Sequence, residues 1–175
     1  MRILLFTQAL NGLSQRAYSE LVERGHTVHI QTADSNTAME LAAAHYQPQL
    51  IIASFLHAPL PDSLLKKYTV LAVRPGSGTD RGPARLDGTP AQRWQNWRIT
   101  VLQAPTEADA GGIWSSKKFG MNPSRQTPYY QHHFTHLAVQ SILESVEKLE
   151  NKSFSPLPLL AAHPLLAGRL HRMKL

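Results

Sequence analysis

Cysteine is absent from this chain, which removes disulfides, thiolate zinc sites and thiol nucleophiles from consideration. Long apolar runs are absent too: none approaches the roughly 20 residues that span a bilayer. The N-terminal run Ile3-Leu4-Leu5-Phe6 is too short for a signal-peptide core and leads straight into polar residues. A cytoplasmic location with no membrane partner is the expectation. Charged residues make up 17% and aromatics 7% of the chain, and no dense Lys/Arg run interleaves with aromatics. That pattern argues against a nucleic-acid surface. The dinucleotide fingerprint is missing as well, because the loop after the first apolar run is Gln8 to Ser14 rather than a triple-glycine turn. Gly76-Ser77-Gly78 begins such a pattern, but Arg81 stands where its third glycine belongs.

What is present is enough for one full core. The chain has 175 residues, 42% of them hydrophobic, which suits one domain followed by a tail. We place a domain at 1–150 and a linking or docking tail at 151–175, where Pro156, Pro158 and Pro164 interrupt any period. The formal charge of +6 and pI near 9.8 favour an anionic partner. Phosphorylated or polycarboxylate small molecules fit that balance.

In chain order, Arg2 to Thr7 reads as a buried first strand, with turn chemistry at Asn11-Gly12. A helix follows through Leu13, Ala17, Leu21 and Val22, stopped by Gly25. His26 to Gln31 alternates as strand two, and Asp34, Ser35 and Asn36 are candidate caps for a helix through Met39 and Ala43. Leu50 to Ala53 is strand three, Asp62 to Lys67 a short helix, and strand four starts at Thr69. Strands alternating with helices imply parallel crossovers and a Rossmann-like α/β sheet. Ile99 to Gln103 is a further strand, and Gly112 to Phe119 alternates weakly as an edge strand or hairpin arm. The longest helical pattern starts at Pro128 and ends near Glu150, with Phe134, Leu137, Ala138, Ser141, Ile142, Ser145, Val146 and Leu149 on one face.

Two loops draw attention, since a parallel sheet places its chemistry where chains leave the carboxyl ends of strands. Arg74 to Pro83 holds three glycines and two prolines in ten residues. Its amides can wrap a flat or anionic ligand, or it can serve as a rigid surface loop. Asp109-Ala110-Gly111-Gly112 combines a carboxylate with a backbone that can pass close to a ligand. Asp109 can equally be a solvated turn residue, and Glu107 is a rival for its role. His132 and His136 share a helix face at the spacing of two metal ligands, yet no Glu follows His132 and no third ligand is evident. No metal is expected.

Taken together, Ala72-Val73-Arg74-Pro75, Arg81-Gly82-Pro83, Arg98-Ile99-Thr100 and Asp109-Ala110-Gly111 resemble the formyltransferases that use N10-formyltetrahydrofolate. In that family a strand ends in Asn-x-His-Pro, then come an Arg-Gly-Pro segment, a Gly-Val-Thr strand and Asp-Ala-Gly. A narrower resemblance, over nearly the whole chain, is to the formyltransferase-like domain of hydrogenase-maturation proteins of the HypX or HoxX type. It rests on Arg2 to Thr7 with Ser14-Gln15-Arg16, Glu23-Arg24-Gly25-His26, Gly78 to Pro83, Leu86-Asp87, Thr100 to Ala104, Gly168-Arg169-Leu170 and Met173-Lys174.

The resemblance implies a formyl carbon passing from a folate nitrogen to coenzyme A, on the way to the carbon monoxide ligand of nickel-iron hydrogenase. It implies Asp109 and Arg74 as the catalytic pair, and Gly76, Asp80, Arg81, Gly82 and Gly111 around the folate. It further implies a second domain resembling enoyl-CoA hydratases, or hydrogenase-maturation proteins, as partners. Departures are Arg74 at the family's His, Ala72 at its Asn, Gly88-Thr89-Pro90, and Arg98 at a glycine. The alternative is a catalytically impaired homologue that binds folate or docks in hydrogenase assembly.

Overall fold

The computed structural model describes residues 1–75, 95–104, 111–121, 128–152 and 154–158. Strand β1 (Arg2–Thr7) buries Ile3, Leu4, Leu5 and Phe6 completely. A strand buried on both faces needs a layer on each side, the position of a central strand in a parallel sheet. Helix α1 (Gly12–Glu23) begins at Asn11, whose side chain accepts the Ser14 N–H while Ser14 Oγ accepts the Asn11 N–H, each at 3.0 Å. This reciprocal cap makes Asn11-Gly12 a helix start rather than a turn. At the other end Gly25 has φ 83°, its N–H bonds Val22 O at 2.9 Å, and the His26 N–H bonds Leu21 O at 3.2 Å. Only a residue without Cβ enters that left-handed stop at no steric cost.

Strand β2 (Thr27–Thr32) forms the outer edge of the sheet. Helix α2 (Asn36–Tyr46) is capped by Ser35, whose hydroxyl accepts the Ala38 N–H at 3.1 Å. Then come β3 (Leu50–Ser54), α3 (Asp62–Lys67) and β4 (Val70–Pro75). These four strands are parallel in the order β2-β1-β3-β4.

Beyond β4 the sheet changes sense. Strands β5 (Gln95–Gln103), β6 (Gly112–Met121) and the two-residue β7 (Leu157–Pro158) continue it antiparallel. β5 starts four residues before Ile99, because Gln95 to Arg98 pair with β6 although they lack an apolar run. β6 is flanked by β5 throughout and by β7 only at Gly112 and Ile113. Its register slips by one residue: Val101 faces Ser115, but Leu102 faces Ile113. Trp114 is the extra residue of a bulge.

Helix α4 (Pro128–Glu150) packs with α1 on one face of the sheet. Its Ala138, Val139, Ile142 and Val146 meet Leu5, Ile52, Leu71, Val73, Ile99 and Val101 there. Burial contributes roughly 1.5–3 kcal/mol for each such Val, Leu or Ile side chain. On the other face, Met39 and Ala43 of α2 and Leu64 of α3 cover Leu4, Phe6, Ile51 and Ala53. Among the described residues no helix is long and apolar enough to cross a membrane.

Candidate functional site

Alternation along a strand assigns each side chain to a face. Leu71 and Val73 join the α1/α4 core, so Ala72 and Arg74 point to the opposite face. In the same way Ile99 and Val101 face α4, which turns Arg98, Thr100 and Leu102 toward Ala72 and Arg74. On β6, Ser115 and Lys117 bond Glu144 of α4, leaving Ser116 and Lys118 on the Arg74 side. The bulge returns Ile113 to that side, where it packs with Ala72 and Leu102 as a small apolar floor.

Around this floor the groups are polar and cationic. Arg74 is exposed and sits in register with Thr100. Thr100 is fully buried and its hydroxyl lies 3.4 Å from Ser116 Oγ, which accepts a 3.0 Å bond from Arg98 Nη1. Arg74 has no carboxylate partner among the described residues.

Of the residues anticipated for the site, Arg74 and Gly111 fall among those described; Gly76, Asp80, Arg81, Gly82 and Asp109 lie outside them. Gly111 is buried at φ 77°, a conformation that favours glycine. Each of the two loops leaves the carboxyl end of the strand before it, but those ends lie at opposite ends of the β4–β5 pair. β5 runs antiparallel to β4, so its carboxyl end lies beside the start of β4, where the Ala104 N–H bonds Val70 O at 2.9 Å. Arg74 is delivered at the other end of the same strand pair, about 13 Å away by strand rise.

Sequence reading missed Phe55, which follows β3 at φ 51° and donates its N–H to Val73 O at 3.1 Å, beside Arg74. A non-glycine residue held there costs about 1–3 kcal/mol, and contact of its ring with Phe134 at 5.2 Å helps hold it. Nothing in the sequence around Phe55 signals that conformation. Of the histidine pair, His132 is exposed and His136 Nδ1 accepts from Arg16 Nη2 at 3.1 Å.

The back of the site is fixed by Glu144. Burial raises its pKa, but side-chain bonds from Lys117, Lys148 and Ser115 and the charge of Lys117 outweigh this and carry it to about 2. At the far edge of β6, a cleft of about 580 Å³ is lined by Trp114, Glu144, Lys148 and Phe154 and contains none of the anticipated site residues.

No family model matches the chain. It is 38% identical over 169 residues, 97% of its length, to the hydrogenase maturation factor HoxX of Bradyrhizobium diazoefficiens. Its fold superposes on the crystal structure of HypX from Aquifex aeolicus in complex with tetrahydrofolic acid, with a TM-score of 0.79, 39% identity and 90% of the chain covered. The chain is a formyltransferase-like domain of the HypX/HoxX type. It spans 30% of the HoxX sequence and 28% of the HypX chain. The fold is shared more widely: methionyl-tRNA formyltransferase from Clostridium thermocellum matches at a TM-score of 0.62 and 14% identity, over 90% of this chain and 68% of that one. For this HypX/HoxX-type domain, Ala72 to Pro75 on β4, Arg98 to Thr100 on β5 and Gly111 are parts of the family pattern that the described residues include.

Proposed function

We propose that this domain binds a reduced folate over the Ala72–Leu102–Ile113 floor and takes part in formyl transfer from N10-formyltetrahydrofolate to coenzyme A during nickel-iron hydrogenase maturation. The observation that carries the reading is the similarity to HypX in complex with tetrahydrofolic acid, joined to Arg74 on the same sheet face as that floor, without a carboxylate partner among the described residues. The local chemistry fits such a ligand: a small apolar floor for a ring, an exposed cation at its edge, and a left-handed glycine where the chain re-enters β6.

In the reaction, the acceptor's sulfur attacks the formyl carbon and an oxyanion forms. The bond from carbon to N10 then breaks, and N10 takes up a proton. Arg74 can donate hydrogen bonds to the oxyanion, but a guanidinium with pKa above about 12 cannot supply that proton near neutrality. Its role is therefore electrostatic. Asp109, a carboxylate two residues before Gly111, is the second proposed catalytic residue. Gly76, Asp80, Arg81, Gly82 and Gly111 are proposed folate contacts, with residues 1–150 as the transfer domain and 151–175 linking to a second domain.

Arg74 also supports a second reading, a homologue that binds folate without transferring its formyl group. Measuring tetrahydrofolate release from N10-formyltetrahydrofolate and coenzyme A separates the two. Turnover by the wild-type chain establishes transfer with an electrostatic arginine. Turnover only in Arg74→His establishes the binding-only reading, and absence of folate binding by both chains refutes both readings.

A further inference from the structure

Arg98 and Lys118 are register partners on antiparallel β5 and β6, and both point to the face that carries Arg74. Directly opposed side chains stand about 5 Å apart at Cβ, and like charges so placed repel. Arg74 adds a third positive charge, since its partner Thr100 is two residues along β5 from Arg98, a diagonal of about 7–8 Å. The ion pairs among the described residues lie elsewhere, on α1, on α4 and on the α4 side of β6. Arg98 instead uses Nη1 on Ser116 Oγ at 3.0 Å, while Lys118 and Ser116 are exposed. Three cations on one sheet face without a described counter-charge raise the free energy of the fold, and an anionic ligand would reverse the sign of that contribution.

We infer that Arg98, Lys118 and Arg74 form an anion site for a group carrying two or more negative charges, a phosphate or paired carboxylates. The arginine forks supply bidentate donors and Lys118 a point charge, with the Ser116 hydroxyl between them. The formyl-transfer reading supplies two sources of this chemistry, the glutamate carboxylates of the folate and the phosphates of the acceptor, and for the choice of ligand the inference rests on that reading.

The test is calorimetric titration of the whole chain and of an Arg98→Gln/Lys118→Gln variant, each with tetrahydrofolate, tetrahydropteroate, which lacks the glutamate, and inorganic pyrophosphate. The variant should bind tetrahydrofolate or pyrophosphate at least about tenfold more weakly, with tetrahydropteroate unchanged. A loss confined to tetrahydrofolate places the folate tail in the site; a loss confined to pyrophosphate places the acceptor there. Equal binding of both anionic probes by the two chains, or binding of neither, overturns the anion site even where tetrahydropteroate binds and the formyl-transfer reading stands. Variant-sensitive pyrophosphate binding without any folate binding supports the site and removes formyl transfer. Should the double variant not fold, wild-type binding of the anionic probes decides: weakening with added salt supports the site, and insensitivity to salt overturns it.

Discussion

Replacing Glu144 by glutamine tests how firmly the site's outer strand is tied to the helix behind it. Glu144 accepts Ser115 Oγ at 3.1 Å and Lys117 Nζ at 2.8 Å, and it bonds Lys148, which also donates to Trp114 O at 2.8 Å. One carboxylate thus joins α4 to two residues of β6, Ser115 and Lys117, and through Lys148 to a third, Trp114. Lowering a carboxyl from 4.5 to about 2 sets a ceiling of about 3 kcal/mol on its contribution to stability. The Glu144 side chain is 36% exposed, and solvent screening of such a pair reduces the expected value to about 1–2 kcal/mol. Because the folded pKa lies below the unfolded one, the contribution is complete above about pH 4.5 and is lost as pH falls toward about 2. Urea denaturation of both chains near pH 7 should show Glu144→Gln less stable by about 1–2 kcal/mol, with the gap shrinking to less than about half near pH 3. A gap that is absent near neutrality, or that stays constant down to about pH 3, refutes the reasoning.

Gly112→Ala places a Cβ 2.8 Å from Pro156 Cβ and 3.3 Å from Leu157 O. We expect it to loosen β7 from β6 and cost about 1–3 kcal/mol in thermal unfolding, and an unchanged midpoint would show that the pairing is not tight. His26 has its pKa lowered, first by burial and then by the charges of the N-terminus and Arg24, against the opposing pull of Glu150. Its neutral form is favoured on folding, so stability should fall as pH drops below about 6.5, and His26→Gln should flatten that slope. Identical slopes in the two chains would exclude His26 as the cause. In the site itself, Arg74→His should raise formyl transfer if a proton-carrying group is what the chain lacks, as read by tetrahydrofolate release.

The parallel half of the fold was legible because its signals are local. Arg2 to Thr7 reads as a buried strand and Leu50 to Ala53 as a strand, and Gly25 and Ser35 punctuate the helices where a left-handed stop and a hydroxyl cap are needed. Asn11 misled, since the same side chain that makes a turn also caps a helix, and only its partner Ser14 decides between them. Strand direction was not legible. Periodicity around Ile99 to Gln103 is the same for either sense, so the opposite exits of the Arg74 and Asp109 loops emerge only from the pairing of β4 with β5. For the same reason Arg98 and Lys118 gave no sign of being neighbours across twenty residues of chain.

The bulge at Trp114 acts as a phase shift along β6. Counting back from Lys118 and Ser116 in strict alternation would bring the indole of Trp114 onto the Arg74 face, opposite Leu102. The single inserted residue sends that ring toward Phe154 instead, 5.4 Å away, and sets the smaller Ile113 beside Ala72 and Leu102. The bulge in β6 thereby sets which side chain completes the floor: with every residue kept but the strand drawn straight, an indole would take the place of Ile113 beside Leu102, while Ser116 and Lys118 kept theirs.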